Sequence, residues 1–123
     1  MPLVIFVDDS ETALASTRMV TNSMPIEVKQ YTEAQVALGE IQAGLTPDLI
    51  ITDLNMPVMN GFEFLEALRK VPSTARTPCL MLTTETKAEL KQKGKALGLT
   101  GWIVKPFNPA QLKQAITRVL RLT

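Results

Sequence analysis

A doubly wound α/β fold is the class this sequence predicts: a five-stranded parallel sheet with helices on both faces, in the pattern (βα)5. Three observations predict it. Short apolar runs recur along the chain, these runs stop at carboxylate, hydroxyl or lysine residues, and a stretch with helical spacing follows each. Runs apolar on both faces need cover on both sides, which a parallel sheet between two helix layers receives. In such sheets ligands bind beyond the carboxyl ends of the strands, at the switch point of strand order.

The elements follow in order. Leu3 to Val7 is a continuous apolar run that ends at Asp8 and Asp9. Ser10 can cap a helix running to about Met24, with Ala13, Leu14 and Thr17 at helical spacing. From Ile26 to Tyr31 apolar and polar residues largely alternate, which suits an edge strand. Glu33 to Ala43 reads as the second helix, with Val36, Ala37 and Ile41 on its inner side and Gly44 as its stop. Leu49 to Ile51 is the next apolar run and leads to Asp53. Asn60 can cap a third helix containing Phe62, Leu65, Leu68 and Arg69. Cys79 to Leu82 runs into Thr83 and Thr84. Thr86 or Lys87 opens a helix that ends near Gly98, weakened by an interior glycine at position 94. Ile103 and Val104 form the last run and stop at Lys105. Asn108 caps the final helix, with Pro109 at its first position and Leu112, Ile116, Val119 and Leu120 as its buried stripe.

Composition narrows the function. With 123 residues the chain reads as one domain over 1–123, and 46% hydrophobic residues suffice for a normal core. The formal net charge of +1 gives no bulk attraction for nucleic acid. The absence of histidine removes histidine-based triads, imidazole metal sites and any histidine phosphoacceptor within the chain. A single cysteine excludes an internal disulfide and a thiolate zinc site. The opening MPLVIFVDDS reaches two carboxylates too soon for a signal peptide or a membrane span, so the expectation is a soluble, cytoplasmic protein.

The polar residues at the strand ends carry the chemistry. Of four aspartates, Asp8, Asp9 and Asp53 fall at the carboxyl ends of two expected strands. If those strands are neighbours, the three carboxylates share one place. Two carboxylates ~4 Å apart repel by ~4 kcal/mol at an effective dielectric of 20. Such a cluster calls for a cation or raised pKa values, and an all-oxygen set suits Mg²⁺. The plainer reading is solvated aspartates that cap the following helices. Thr83 and Thr84 read either as caps or as hydroxyls of a site, and Lys105 as an exposed lysine or as the partner of the carboxylates or of a phosphate. Taken together they describe a phosphoryl-transfer site: a carboxylate nucleophile, a metal, a hydroxyl and a cation.

These residues carry a resemblance. VDDS at Val7 to Ser10, ITDLNMPVMNG at Ile51 to Gly61, LTTE at Leu82 to Glu85 and VKPF at Val104 to Phe107 resemble, in order and spacing, the receiver domains of two-component response regulators, specifically stand-alone CheY-like ones. The resemblance implies strand order 2-1-3-4-5 of the flavodoxin/CheY-like kind, an order the family itself exemplifies. It implies that Asp53 accepts a phosphoryl group from a partner's phosphohistidine. Asp9, Asp53 and the backbone carbonyl of Asn55 match direct Mg²⁺ ligands, and Asp8 the acid that acts through water. Lys105 matches the lysine that pairs with phosphoryl oxygens, and Thr83 the hydroxyl that moves to them on activation. Lys105–Pro106 lies where the family has a cis peptide, which costs only about 0.5–1 kcal/mol at X–Pro. Asn55 and Glu85 match two positions that tune hydrolysis, and Trp102 the aromatic switch position.

The resemblance also implies an output. Apart from its own phosphorylation and dephosphorylation the chain is not expected to be an enzyme; an aspartate phosphatase would need a second carboxylate where Asn55 stands. Signalling is expected through a protein surface containing Trp102 and the basic stripe of Lys87, Lys91 and Lys95, read either as a solvated face or as a steering patch for an acidic segment. The expected partners are a CheA-like sensor histidine kinase and a flagellar motor switch protein or another downstream protein, with no nucleic acid and no membrane. The expected state is a monomer without an output domain. The alternative is a phosphorelay intermediate or phosphate sink with no motor partner. Met56 and Met59 are expected to pack in loop and core, and Cys79 to be a buried strand residue.

Overall fold

The computed structural model describes residues 1–122. Strands β1 (Leu3–Val7), β2 (Glu27–Tyr31), β3 (Leu49–Thr52), β4 (Cys79–Thr83) and β5 (Gly101–Val104) alternate with helices α1 (Glu11–Thr21), α2 (Ala34–Gln42), α3 (Gly61–Lys70), α4 (Ala88–Ala96) and α5 (Pro109–Leu120), with one 3₁₀ turn at Pro72–Thr74. All strand pairs are parallel and the sheet order is β2-β1-β3-β4-β5. Register is set by pairs such as Val7 with Thr52, Ile50 with Cys79 and Thr83 with Val104. Both the fold class and the strand order are those expected.

Side-chain alternation divides the core between the two faces. Val4, Phe6, Leu49 and Ile51 pack with Leu112 and Ile116 of α5, while Ile5, Val7 and Ile50 pack with Ala37 and Ile41 of α2 and Phe64 and Leu68 of α3. The order of β1 and β3 at the centre of the sheet explains why their runs have no polar interruption: every residue of both is buried. β2 is an edge strand with no fully buried residue, as its alternation indicated. β5 is the other edge: although its run reads like a central strand, only Ile103 is fully buried there.

Two helix boundaries and one buried face differ from expectation. α1 ends at Thr21 rather than near Met24. The Met24 N–H donates to the Thr21 carbonyl at 3.0 Å, and Pro25 disfavours helical backbone at the residue before it. On α2 the buried residues are Ala34, Ala37 and Ile41, and Val36 is 45% exposed. The inner stripe runs through positions spaced three and four apart, so Val36 lies about 100° off it. α4 spans only Ala88–Ala96, and its glycine has a packing reason: a Cβ at Gly94 would come within 2.4 Å of Leu99 Cδ1 and 3.3 Å of the Trp102 ring. Among the described residues no helix is long and apolar enough to cross a membrane.

Candidate functional site

The carboxyl ends of β1, β3, β4 and β5 bring the expected residues together. Each ladder continues one residue past its strand: Asp8 N–H donates to the Tyr31 carbonyl (3.0 Å), Asp53 N–H to that of Val7 (2.9 Å) and Lys105 N–H to that of Thr83 (2.8 Å). Sheet hydrogen bonding thus places the backbone of all three residues. Their side chains then meet: Lys105 Nζ donates to Asp8 Oδ2 at 2.5 Å and to Asp53 Oδ2 at 3.1 Å. The three side chains are mostly enclosed, with 16% of Lys105, 7% of Asp8 and 12% of Asp53 exposed.

The other carboxylate oxygens are fixed by backbone amides. Ser10 N–H donates to Asp8 Oδ1 at 2.9 Å, and Leu54 N–H to Asp53 Oδ1 at 2.7 Å. Asp9 stands exposed beside them, and Asp8, Asp9 and Asp53 each offer an oxygen within 4.8 Å of the others. Asp48, the fourth aspartate, is elsewhere: its carboxylate accepts the Leu3 N–H at 2.7 Å. Burial raises the Asp8 carboxyl above its ordinary pKa, and the Lys105 bond and Ser10 amide pull against this without cancelling it. Burial also opposes the charge on Lys105, but its bond to Asp8 and the charges of Asp8 and Asp53 outweigh that, so the ammonium is held more firmly charged. One ammonium among three carboxylates leaves negative charge over. An all-oxygen donor set with surplus negative charge fits a hard divalent cation such as Mg²⁺, with Asp8, Asp9 and Asp53 as the residues that would hold it.

The remaining expected residues form the surround. Thr83 is fully buried, and its Oγ1 accepts the Glu85 N–H at 3.4 Å. Asn55 Nδ2 donates to Glu85 Oε1 at 2.9 Å, tying the β3–α3 loop to the β4–α4 loop. Trp102 Nε1 donates to the Glu85 carbonyl at 2.9 Å, and its ring lies 6.4 Å from that of Phe62. Glu85 therefore joins Thr83, Asn55 and Trp102. Lys87 and Lys91 are exposed, and Lys91, Lys95 and Trp102 line a small hollow of about 210 Å³ with Leu99. The Lys105–Pro106 bond is cis. Beside Lys105, a groove of about 870 Å³ opens between α1 and the start of α5, lined by Ala13, Met19, Thr84 and Phe107 among others. Met56 is buried and Met59 packs against the same core, as expected. Cys79 is buried with its thiol pushed up to about 12 by burial, against a small opposing effect of Arg69.

Asn60 caps α3 as expected, while the reciprocal role of Glu63 and the roles of Gly61 and Arg69 were not anticipated. Asn60 and Glu63 form a reciprocal capping box at the start of α3, a pattern visible as Asn60-x-x-Glu63. Gly61 lets α3 approach the backbone that follows β3: a Cβ there would lie 2.4 Å from the Asp53 carbonyl oxygen. Arg69 Nη1 donates to the Thr74 and Thr77 carbonyls at 2.9 and 2.7 Å, and Nη2 to that of Gly98 at 3.2 Å, bracing the far ends of α3 and α4. Nothing in the spacing of Gly61 or Arg69 marks these roles.

Residues 4–117 match the family model described as the response regulator receiver domain. The chain belongs to the response regulator receiver family. Receiver domains of this family work with a histidine kinase and downstream targets and generally hold Mg²⁺ at an acidic site of this kind. The receiver is similar to the chemotaxis protein CheY4 of Vibrio cholerae, with 45% identity, a TM-score of 0.90 and coverage of 97% of this chain and 98% of that one. It is 31% identical over 121 residues to the cyclic di-GMP phosphodiesterase response regulator RpfG of Xanthomonas campestris, covering 97% of this chain and 32% of RpfG. It is also 31% identical over 121 residues to the phosphate regulon transcriptional regulatory protein PhoB of Rhizobium meliloti, covering 98% of this chain and 53% of PhoB. The receiver thus spans about a third to a half of these curated relatives.

Proposed function

We propose that Asp53 accepts a phosphoryl group from the phosphohistidine of a sensor kinase, and that the phosphorylated receiver signals by binding another protein. The observation that carries this reading is the Lys105 ammonium bridging Asp8 and Asp53 beside a third carboxylate. An Asp53 oxygen attacks phosphorus in line; the P–O bond forms, the P–N bond to the donor imidazole breaks, and the imidazole leaves with that electron pair and takes a proton. Mg²⁺, when bound by Asp8, Asp9, Asp53 and the Asn55 carbonyl, supplies positive charge where charge builds on the phosphoryl oxygens. Lys105, already at Asp53, passes its hydrogen bond to a phosphoryl oxygen. Thr83 holds another through its hydroxyl. The product is an acyl phosphate, and water cleaves its P–O bond to release phosphate and regenerate the carboxylate. Asn55 and Glu85, joined across the opening, govern how water reaches it.

For output, the similarity to CheY4 along almost the whole of both chains supports a chemotaxis role for a single receiver unit acting on a flagellar motor switch protein. The bond of Trp102 to the Glu85 carbonyl, and of the Glu85 N–H to Thr83, supports the reading that Trp102 reports phosphorylation, with Lys87 and Lys91 steering an acidic partner segment. A phosphorelay or sink role would leave the receiver without affinity for a motor switch peptide.

The test uses a small phosphodonor with Mg²⁺, intact mass and Trp102 fluorescence. The expected outcome is one added phosphoryl group with a Mg²⁺-dependent fluorescence change, both lost in Asp53→Asn with its melting temperature retained. A labelled Asp53→Asn variant would show that Asp53 is not the acceptor.

A further inference from the structure

Five residues beyond Asp53 the loop makes a turn that its sequence does not favour. The Met59 N–H donates to the Pro57 carbonyl at 2.8 Å, two residues back, and Val58 between them has φ 71°. This is a γ-turn of the strained hand, with a β-branched residue in left-handed backbone. The cause of the tight turn is local. Met56 is buried and Met59 packs against the same core, so the chain must leave and return within three residues. Nothing local asks for valine at the tip. Val58 is 84% exposed, so its side chain gains little from packing, and asparagine or glycine would hold the same backbone with less strain. The turn belongs to the β3–α3 loop at the carboxyl end of the sheet, the end that carries Asp53. Asp53 is 12% exposed, so a protein-borne phosphohistidine reaches it only when the donor rests on these loops.

We infer that Val58 is a specificity-determining contact for the phosphohistidine-bearing donor protein: an apolar knob displayed by a strained turn at the rim of the Asp53 site. This rests on Asp53 being the acceptor. The donor surface it fits is an apolar depression next to the phosphohistidine.

The experiment compares Val58→Asn, Val58→Gly and Val58→Leu with the unmodified chain. Two donors are used: acetyl phosphate, and the phosphorylated histidine-containing domain of a chemotaxis kinase that labels the unmodified chain. Relief of the turn should raise the melting temperature of Val58→Asn by about 3–8 °C. Transfer from the phosphohistidine domain should slow at least ~5-fold in Val58→Asn and Val58→Gly and stay within ~2-fold in Val58→Leu, as loss and retention of one buried apolar contact predict. Labelling by acetyl phosphate should be unchanged in all three. Unchanged transfer from the phosphohistidine domain in the asparagine and glycine variants overturns the inference. So does equal slowing with both donors, which would mean that the turn shapes the site and not the contact, and so does a melting temperature that fails to rise in Val58→Asn. Failure of acetyl phosphate to label the unmodified chain would instead overturn the acceptor role of Asp53.

Discussion

Lys105 holds the centre of the site by charge. Its ammonium satisfies one oxygen each of Asp8 and Asp53, and all three side chains are largely enclosed, so water can replace it only in part. Removing one partner from such a cluster leaves carboxylates that repel and lack a donor. Lys105→Met keeps the length of the side chain without its charge, and is expected to cost about 2–3 kcal/mol in urea unfolding at neutral pH. The sign with pH follows from Asp8, whose carboxyl is raised in the folded state by burial. A raised acid binds its proton more tightly folded than unfolded, so the stability of the variant recovers relative to the unmodified chain as pH falls and Asp8 is neutralised. A deficit that stays constant from pH 7 to pH 4 would show that Lys105 acts by packing instead. Trp102 carries a second residue-level lesson. The resemblance implies that it is the aromatic switch position, but only the fold reveals that its N–H finds the Glu85 carbonyl.

Helix α3 shows how an element positions chemistry that lies outside it. Its first turn is closed by the Asn60–Glu63 capping box, and the Gly61 N–H donates to the Leu54 carbonyl at 2.8 Å. The helix therefore starts against the backbone that carries Asp53. A methyl group at position 61 would meet the Asp53 carbonyl oxygen at 2.4 Å, with backbone on both sides of the clash, so one must move. Gly61→Ala is expected to lose about 1–3 kcal/mol of stability in urea unfolding. The displaced loop should also slow acetyl phosphate labelling of Asp53. Unchanged stability with unchanged labelling would show that the loop absorbs the methyl group freely. Helix α4 is the opposite case: it is short, Gly94 is its one fully buried residue, and its exposed lysines face outward. With so little of it buried, α4 is the helix least anchored to the core.

Across the whole molecule, the parallel sheet gathers the carboxyl ends of its strands on one side, and with them three carboxylates against one lysine. The surplus repulsion opposes folding until a cation offsets it. Millimolar Mg²⁺ is therefore expected to raise the melting temperature. A ligand at a hundredfold its Kd adds about 2.7 kcal/mol, so the shift should be readable by thermal unfolding. Asp9→Ala should abolish it while retaining the fold, because Asp9 is exposed and its loss leaves the core intact. No shift, or the same shift in Asp9→Ala, would count against a metal at this cluster.

Much of this was legible in the chain itself. Period-two and unbroken apolar runs identified the strands, helical spacing and caps identified the helices, and the VDDS, ITDLNMPVMNG, LTTE and VKPF motifs singled out the residues now found together at the carboxyl ends of the strands. Those signals are local, set by backbone propensity and by which side of an element must be dry. Tertiary structure alone decided what depends on distance between elements: that Lys105 lies between Asp8 and Asp53, that Glu85 is reached by both Asn55 and Trp102, that Gly61 must lack a side chain, and that Val36 faces out. The strained φ of Val58 belongs with these. It arises because Met56 and Met59 are both drawn into one core, a demand that no single stretch of sequence can express.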